Sequence, residues 1–570
     1  MKTPPSLQKL RGGYYTPERV AEYICDWAIQ STNQKILEPS CGDGVFLVEA
    51  VRKMISFPDN GPQTKAELIG IELDPNEGKK AMSNLSEYPK NLYNVVISDF
   101  FSFANETIKD GVKFDVIIGN PPFIRNHNFP ESQREIAFDI MRAVGLKPSR
   151  LTNSWVPFLV ASTVLLKNPG KLGMVVPAEL LQVGYAAELR KFLVDSFSRI
   201  SMITFKNLLF QDAQQEVVLL LCEKNGKERN GIRTLEIDDA SSLDSIKFDE
   251  LNESELKPVD HTSEKWTQYF LNAEEICIMR EASKRKSIFE FGQLAGVDVG
   301  VVTGENSFFV INKQVVKKYN LDNYLTRIVP RSNLIKGVEF TEEDWLLNQK
   351  LEKPVHLLNL NGYTYTKLPK KVRDYLNTGL NEKVNEGYKC SRRDPWWSVP
   401  SIWIPDAFLL RQNNEHPKLI INKARSTTTD TIHRVKANPG TNINLLTASF
   451  YNSLTFAHAE IIGRSYGGGV LELEPSESEK LLVPYDELAD LDIEFVDKLI
   501  REKGVDELLD YVDQKLLIDL CGFSHKDVQE FRQIWRKLMG RRKTRKIKNS
   551  IKTTHSQVLE STGGKLIATS

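Results

Sequence analysis

The chain has 570 residues with 75 basic and 75 acidic side chains, so it carries no net charge. That length exceeds what one ordinary core fills, and two or three domains are expected. Hydrophobic residues at 41% and charged residues at 26% are the balance of a soluble globular protein, with no apolar run approaching a membrane span. The N-terminal stretch MKTPPSLQKLRGGYY lacks a signal-peptide core. Cys25, Cys41, Cys222, Cys277, Cys390 and Cys521 are scattered without a CxxC pair. This argues for a reducing, cytoplasmic setting and against a structural zinc site, and no metal-binding residues are expected.

From Val20 to about residue 225, short β-rich apolar runs alternate with helical stretches. KILEPS, ELIGIEL, NVVISDF, FDVIIGN, KLGMVVP and EVVLLLCE read as buried strands. The predicted fold class is therefore α/β: a Rossmann-like, mostly parallel sheet covered on both faces, spanning residues 1–245. Such sheets bind ligands beyond the carboxyl ends of their strands. Residues 246–285 are polar and acidic and read as a connector. Residues 286–492 have short strands, frequent Gly and Pro, and aromatic segments such as DPWWSVPSIWIPDAF, which predict a mixed α+β domain. Residues 493–540 read as C-terminal helices, the last one N-capped by Ser524. Residues 541–570 carry 8 basic side chains against 1 acidic and read as a solvated, disordered tail.

The first predicted strand runs into Glu38-Pro-Ser40-Cys-Gly42-Asp43-Gly44, a turn that brings backbone N–H groups near a ligand. The next strand ends at Glu72-Leu73, where an acid suits two ribose hydroxyls and disfavours a phosphate. The third ends at Asp99-Phe100, suited to an adenine amino group and its ring. Each acid taken alone reads equally well as a helix cap; three in succession on one sheet do not. With no GxGxxG or GxxxxGKS, the pattern favours a nucleoside-like cofactor without phosphate, and S-adenosylmethionine fits.

The fourth strand, FDVIIG, runs into Asn120-Pro121-Pro122-Phe123. An exocyclic amino nitrogen on a base is a poor nucleophile because its lone pair is conjugated into the ring. Two acceptors holding its hydrogens, the Asn120 side-chain oxygen and the Pro121 carbonyl, free that lone pair. The prolines aim the carbonyl and remove competing donors. Phe123 then stacks on a base flipped out of the duplex.

The motif order Gly13-Tyr14-Tyr15-Thr16-Pro17, Glu38 to Gly44, Glu72, Asp99 and Asn120 to Phe123 resembles the gamma-class amino-directed DNA methyltransferases of the Taq I and Eco57I-like type. The resemblance is strong over about residues 12–225. It implies a class I methyltransferase domain followed by a target-recognition domain, with double-stranded DNA as partner. It also implies N6-adenine methylation and a restriction–modification system whose endonuclease is encoded separately. Thr16, Glu38, Ser40, Gly42, Glu72, Leu73, Asp99, Phe100, Pro122 and Phe158 would line the cofactor, and Phe210 would face Phe123 across the flipped adenine. In the C-terminal third the resemblance is looser. Arg392, Arg393, Trp396, Trp397, Lys423, Arg425 and Arg464 are candidates there for phosphate or base contacts, each equally readable as surface or packing.

Other chemistries use parts of this pattern. Cytosine N4 attack shares the geometry. A protein-glutamine methyltransferase would need a helical domain in front, and a cytosine C5 enzyme a Pro-Cys pair, which the chain lacks. An RNA methyltransferase leaves GRSYGGGVLEL unexplained, and a catalytically dead recognition subunit leaves the intact acids and Asn120 unexplained.

Overall fold

The computed structural model describes residues 15–58, 67–207, 209, 216–225, 231–259, 265–466 and 469–561, with side chains up to residue 544. Phe210 lies outside the described residues. The chain divides into two compact units, one built on residues up to Ile276 and the other on Cys277–Lys543. Among the described residues no helix is long and apolar enough to cross a membrane.

The first unit is an eight-stranded sheet of β1 (Lys35–Glu38), β2 (Glu67–Glu72), β3 (Tyr93–Ile97), β4 (Phe114–Gly119), β5 (Leu166–Pro177), β6 (Arg199–Phe205), β7 (Val217–Lys224) and β8 (Ile232–Ile237). Their order is β3-β2-β1-β4-β5-β7-β6-β8. β7 alone runs antiparallel to its neighbours, and every other pairing is parallel. The chain moves outward from β1 to β3 and then returns to place β4 on the other flank of β1, so the loops after β1 and β4 leave the sheet in opposite directions. That gap is the topological switch point where open α/β sheets hold ligands.

The connecting helices follow from apolar spacing. In Glu18–Ala28, Val20, Ile24, Trp27 and Ala28 are buried at three- and four-residue intervals, while Glu18 and Glu22 face water. Helix Trp155–Leu165 (WVPFLVASTVL) has no polar face and is buried nearly throughout, so it is interior to the unit.

Two strands escaped the sequence reading. RISMITF buries Ser201 and Thr204 inside the sheet, and IRTLEI keeps Arg233 buried, so neither reads as an apolar run. The segment expected to be a connector is packed instead. Trp266 and Tyr269 are buried, and the Tyr269 carbonyl accepts from Thr234 Oγ1 of β8 and from Lys257 Nζ. Two aromatic residues outweighed the acidic character of the segment.

The second unit is mixed, as its composition predicted. A five-stranded sheet joins Ala295–Val299, Ile432–Ala437, Ala407–Leu410, Leu419–Asn422 and Glu339–Phe340 in that order. A four-stranded sheet joins Val310–Ile311, His356–Leu358, Leu325–Val329 and Thr427–Thr428. The tryptophan-rich segment lies half-buried against the core: Trp396 packs on Phe308 (5.5 Å), which stacks on Tyr375 (4.8 Å). Arg393 donates to the Thr303 and Val302 carbonyls (2.6 and 2.8 Å), so it braces backbone. Lys423 pairs with Glu339 and Arg464 with Glu477. At Ser524 the expected cap is present: Asp527 N donates to Ser524 Oγ (3.1 Å).

As far as residue 561 the basic stretch from residue 541 is helical where a disordered tail was expected, and residues 562–570 lie outside the described residues. The last helix runs from His525 to Ser561, and Arg542 is buried in the second unit. Its guanidinium donates to the Glu460 carboxylate (2.7 and 2.8 Å) and to the carbonyls of Asn414 (2.8 Å) and Gly469 (2.6 Å). Burial raises the Glu460 carboxyl above its usual range, and the Arg542 hydrogen bonds and charge counter that rise. Charge counting along the sequence saw a run of cations and could not see the buried acid waiting for one of them. Arg542→Ala should destabilise the second unit by about 3–5 kcal/mol, because it strands a buried carboxylate. Equilibrium denaturation measures this; a change below about 0.5 kcal/mol, typical of surface substitutions, would return Arg542 to the solvent.

Candidate active site

Four strand ends meet at one edge of the sheet. Glu38 pairs with Gly70, Glu72 with Ile97 and Gly119 with Met174, and Leu37 lies opposite Ile117. The loops that follow carry Ser40 to Gly44, Leu73, Asp99 and Asn120 to Phe123.

The turn after β1 needs its glycines. Gly44 has φ +89°, and a Cβ there would stand 2.9 Å from the Ala81 Cβ. Gly42 has φ +54°, and a Cβ on it would meet nothing within 4 Å, so this part of the turn is open. Its N–H donates to Glu72 Oε2 (2.8 Å) while Asp74 N donates to Oε1 (2.8 Å). One carboxylate therefore aligns the loop after β1 with the loop after β2. Glu72 does not cap the following helix; Asp74 does, accepting from Asn76 N (2.9 Å).

Asp99 is a helix cap: its Oδ2 accepts from Ser102 N (2.8 Å) and Ser102 Oγ (2.9 Å) at the start of Phe100–Lys109. The bland reading of a strand-end acid holds for Asp99 and fails for Glu72. Phe100 and Phe158 are buried and stack on each other at 4.8 Å, with Phe101 edge-on to Phe158. They form an aromatic floor and leave no slot between them. Leu73, by contrast, is 56% exposed in the loop after β2.

Glu38 is 1% exposed, and its Oε2 has no hydrogen-bond partner among the described residues. Burial first, then the neighbouring Glu72 and Asp43, raise its carboxyl well above the usual range, with the Leu47 backbone N–H opposing. Glu72 and Asp43 are raised too, again mainly by burial. Three crowded acids with one orphan oxygen form a site that favours a cation carrying N–H donors. A Cβ on Gly119 would come within 3.4 Å of Glu38 Cγ, so the β4 end touches this acid directly.

The Asn120 loop is held from two sides. Asn120 Nδ2 donates to Thr16 Oγ1 (3.1 Å), although the two lie 104 residues apart. Thr16 is itself buried, between Tyr15, whose hydroxyl donates to Glu77 (3.2 Å), and Pro17, which precedes helix Glu18–Ala28. On the far side the fully buried Ser154 donates to the Pro122 carbonyl and accepts from Ile124 N (2.9 Å), while its own N–H donates to the Ile124 carbonyl (3.0 Å). Ser154 escaped the sequence reading; the one signal available was a serine at a helix start. Pro121 is buried, and Phe123 is half-buried against the core.

Residues 3–287 match the family model described as N-6 DNA Methylase, which is half of the chain. The chain belongs to that family. Its reaction is methylation of DNA at the N6 amino group of adenine. Residues 263–517 match the model for the C-terminal domain of the type II methyltransferase M.Eco57I. The type II methyltransferase M.AccI of Acinetobacter calcoaceticus is 24% identical over 534 residues, covering 89% of this chain and 93% of that one. M.XamI of Xanthomonas campestris pv. amaranthicola is 22% identical over 83% of this chain and 85% of its own. Among solved structures, the type IIL restriction-modification enzyme MmeI in complex with DNA is 13% identical at a TM-score of 0.49, over 89% of this chain and 70% of that one.

The electrostatics of this methylase have a consequence for stability. Glu38 keeps its proton in the folded protein at pH values where the unfolded chain has released it. Its contribution is therefore lost as pH rises from the ordinary carboxylate range toward its raised value. Glu38→Gln should flatten that slope and melt higher than the wild type at neutral pH. Melting curves from pH 5 to 8 test this; parallel curves for the two proteins would contradict it.

Proposed function

We propose that this methylase binds S-adenosylmethionine at the loops after β1, β2 and β3 and transfers the methyl group to an adenine rotated out of double-stranded DNA. The observation that carries the proposal is the placement of Asn120. This residue directly follows β4, whose last residue Gly119 lies against the buried acid Glu38, and β4 pairs with β1, whose following turn is open at Gly42. Bound there, the cofactor supplies an electrophilic methyl carbon on a sulfonium centre.

The residues present fit that cofactor. The orphan oxygen of Glu38 suits an ammonium group, and the open turn at Ser40 and Gly42 leaves room for its carboxylate end. The Glu72 carboxylate is held by the backbone N–H groups of Gly42 and Asp74, one on each oxygen, so a ribose diol would meet a carboxylate already aimed. Leu73 gives an apolar ledge for the purine, the free lone pairs of Asp99 suit its amino group, and Phe100, Phe158 and Pro122 back the site.

The chain's own part in the chemistry is to prepare the target nitrogen. Asn120 Oδ1 and the Pro121 carbonyl accept the two N6 hydrogens and draw the nitrogen toward tetrahedral geometry. The nitrogen gains a methyl group and loses one proton. Neither acceptor is basic enough to keep that proton, so it passes to water. Phe123 offers a face for stacking, worth about 1–3 kcal/mol against the cost of leaving the duplex. Phe210 is assigned the opposite face on the resemblance alone. The second unit, together with the final helix, is assigned target recognition. We place the enzyme in a restriction–modification pair with a separate endonuclease because the relatives it matches are type II methyltransferases.

Asn120→Ala should lower the single-turnover rate by about 10²–10³ and leave the calorimetric affinity for S-adenosylmethionine unchanged. A variant with normal rate and weakened cofactor binding would move Asn120 out of the reacting end.

A further inference from the structure

A side-chain amide has two ends of nearly equal size and opposite character. Presented by its oxygen, Asn120 draws hydrogens off the target nitrogen; presented by its NH₂, it sets donor against donor and opposes the reaction. Rotation of the amide by half a turn exchanges the two. An enzyme that relies on this amide needs something to hold it the right way round.

We infer that Thr16 is that device: a positioning residue that ties the NH₂ end of Asn120 and thereby directs the Oδ1 end away from itself, toward the target amino group. This rests on the role proposed above for Asn120 and adds to it. The support is geometric. Nδ2 donates to Thr16 Oγ1 at 3.1 Å, within normal hydrogen-bond length. Thr16 is buried, so water does not readily take its place. Its backbone is fixed on both sides. The Tyr15 hydroxyl donates to Glu77 and accepts from Lys80 (3.3 Å), and the Pro17 carbonyl accepts from Val20 N (2.9 Å) and Ala21 N (3.3 Å) as helix Glu18–Ala28 begins. The segment before the first helix is thus anchored on both flanks of the residue that reaches the end of β4.

Resemblance placed Thr16 among the residues lining the cofactor, and the two roles differ in what they control. A cofactor-lining hydroxyl governs affinity for S-adenosylmethionine. A hydroxyl that orients the Asn120 amide governs the rate of transfer and leaves that affinity alone.

Thr16→Val keeps the shape of the side chain and removes the acceptor. It should lower the single-turnover methylation rate about three- to tenfold, the bias that one net hydrogen bond supplies. The affinity for S-adenosylmethionine by calorimetry should stay at the wild-type value. Thr16→Ser retains the hydroxyl and should restore most of the rate, which a role in packing alone would not do. In an Asn120→Ala background, Thr16→Val should have no further effect, because no amide remains to be oriented. Thr16→Ala provides the same comparison should valine disturb the fold. The inference is overturned if Thr16→Val turns over as fast as the wild type or faster, if it loses cofactor affinity in place of rate, or if its effect persists undiminished without Asn120. Failure of the wild type itself to methylate adenine would be recognisable separately and would overturn the underlying assignment of Asn120 as well.

Discussion

The pairing of β1 with β4 is the constraint on which the rest of the site depends. Ile36 lies opposite Val116 and Leu37 opposite Ile117, and this pairing of strands 80 residues apart in sequence brings Glu38 against the strand that ends at Gly119 and leads into Asn120. Without it the acidic turn and the Asn-Pro-Pro-Phe loop would be two unrelated features. With it, the crowded acids Glu38, Asp43 and Glu72 and the Asn-Pro-Pro-Phe loop lie at one sheet edge, each loop leaving in its own direction. The Glu72 carboxylate then fixes the neighbouring loops by taking one N–H from each, and Ser154 does the same for the far side of the proline pair.

This arrangement has an energetic cost that the fold meets elsewhere. Glu38 is buried without a partner for one oxygen and close to two further acids. A protein selected for stability alone would place a leucine or a hydrogen-bonded serine there. The surrounding unit meets the cost with the apolar helix Trp155–Leu165 and the densely buried strands on either side. Such a local conflict inside a well-packed sheet is the physical mark of a binding site. The contrast with Arg542 and Glu460 is instructive: that buried acid carries a bidentate partner and serves the structure.

Much of the first unit was legible because its strands are continuous apolar runs and its loops carry residues with a single chemical use. The α/β class, six strands, the open glycine turn and the Asn120 loop follow from those signals. What escaped is physically explicable. β6 and β8 bury polar or charged side chains inside the sheet, so hydropathy does not announce them. Asp99 and Glu72 look alike in sequence; only the position of the next helix shows that Asp99 caps and Glu72 does not. Arg542 belongs to a run of cations whose members look equivalent until one of them is paired. Thr16 was named as a site residue, but its hydrogen bond to Asn120 and that of Ser154 to Pro122 span 104 and 32 residues, and contacts of that range have no local signature. In the second unit, Trp396 packs half-buried on the core and Arg393 braces backbone, which sequence alone does not reveal, since an aromatic or basic residue serves interior and interface alike.

The acceptors at the end of β4 are assigned here to adenine N6 within one DNA sequence. The most direct test of that assignment is the sequencing of modified bases in DNA from a methylation-deficient host that expresses the full chain. N6-methyladenine should be found at a single recurring sequence and nowhere else. N4-methylcytosine at that sequence, or DNA left unmodified by the soluble and folded protein, would contradict it.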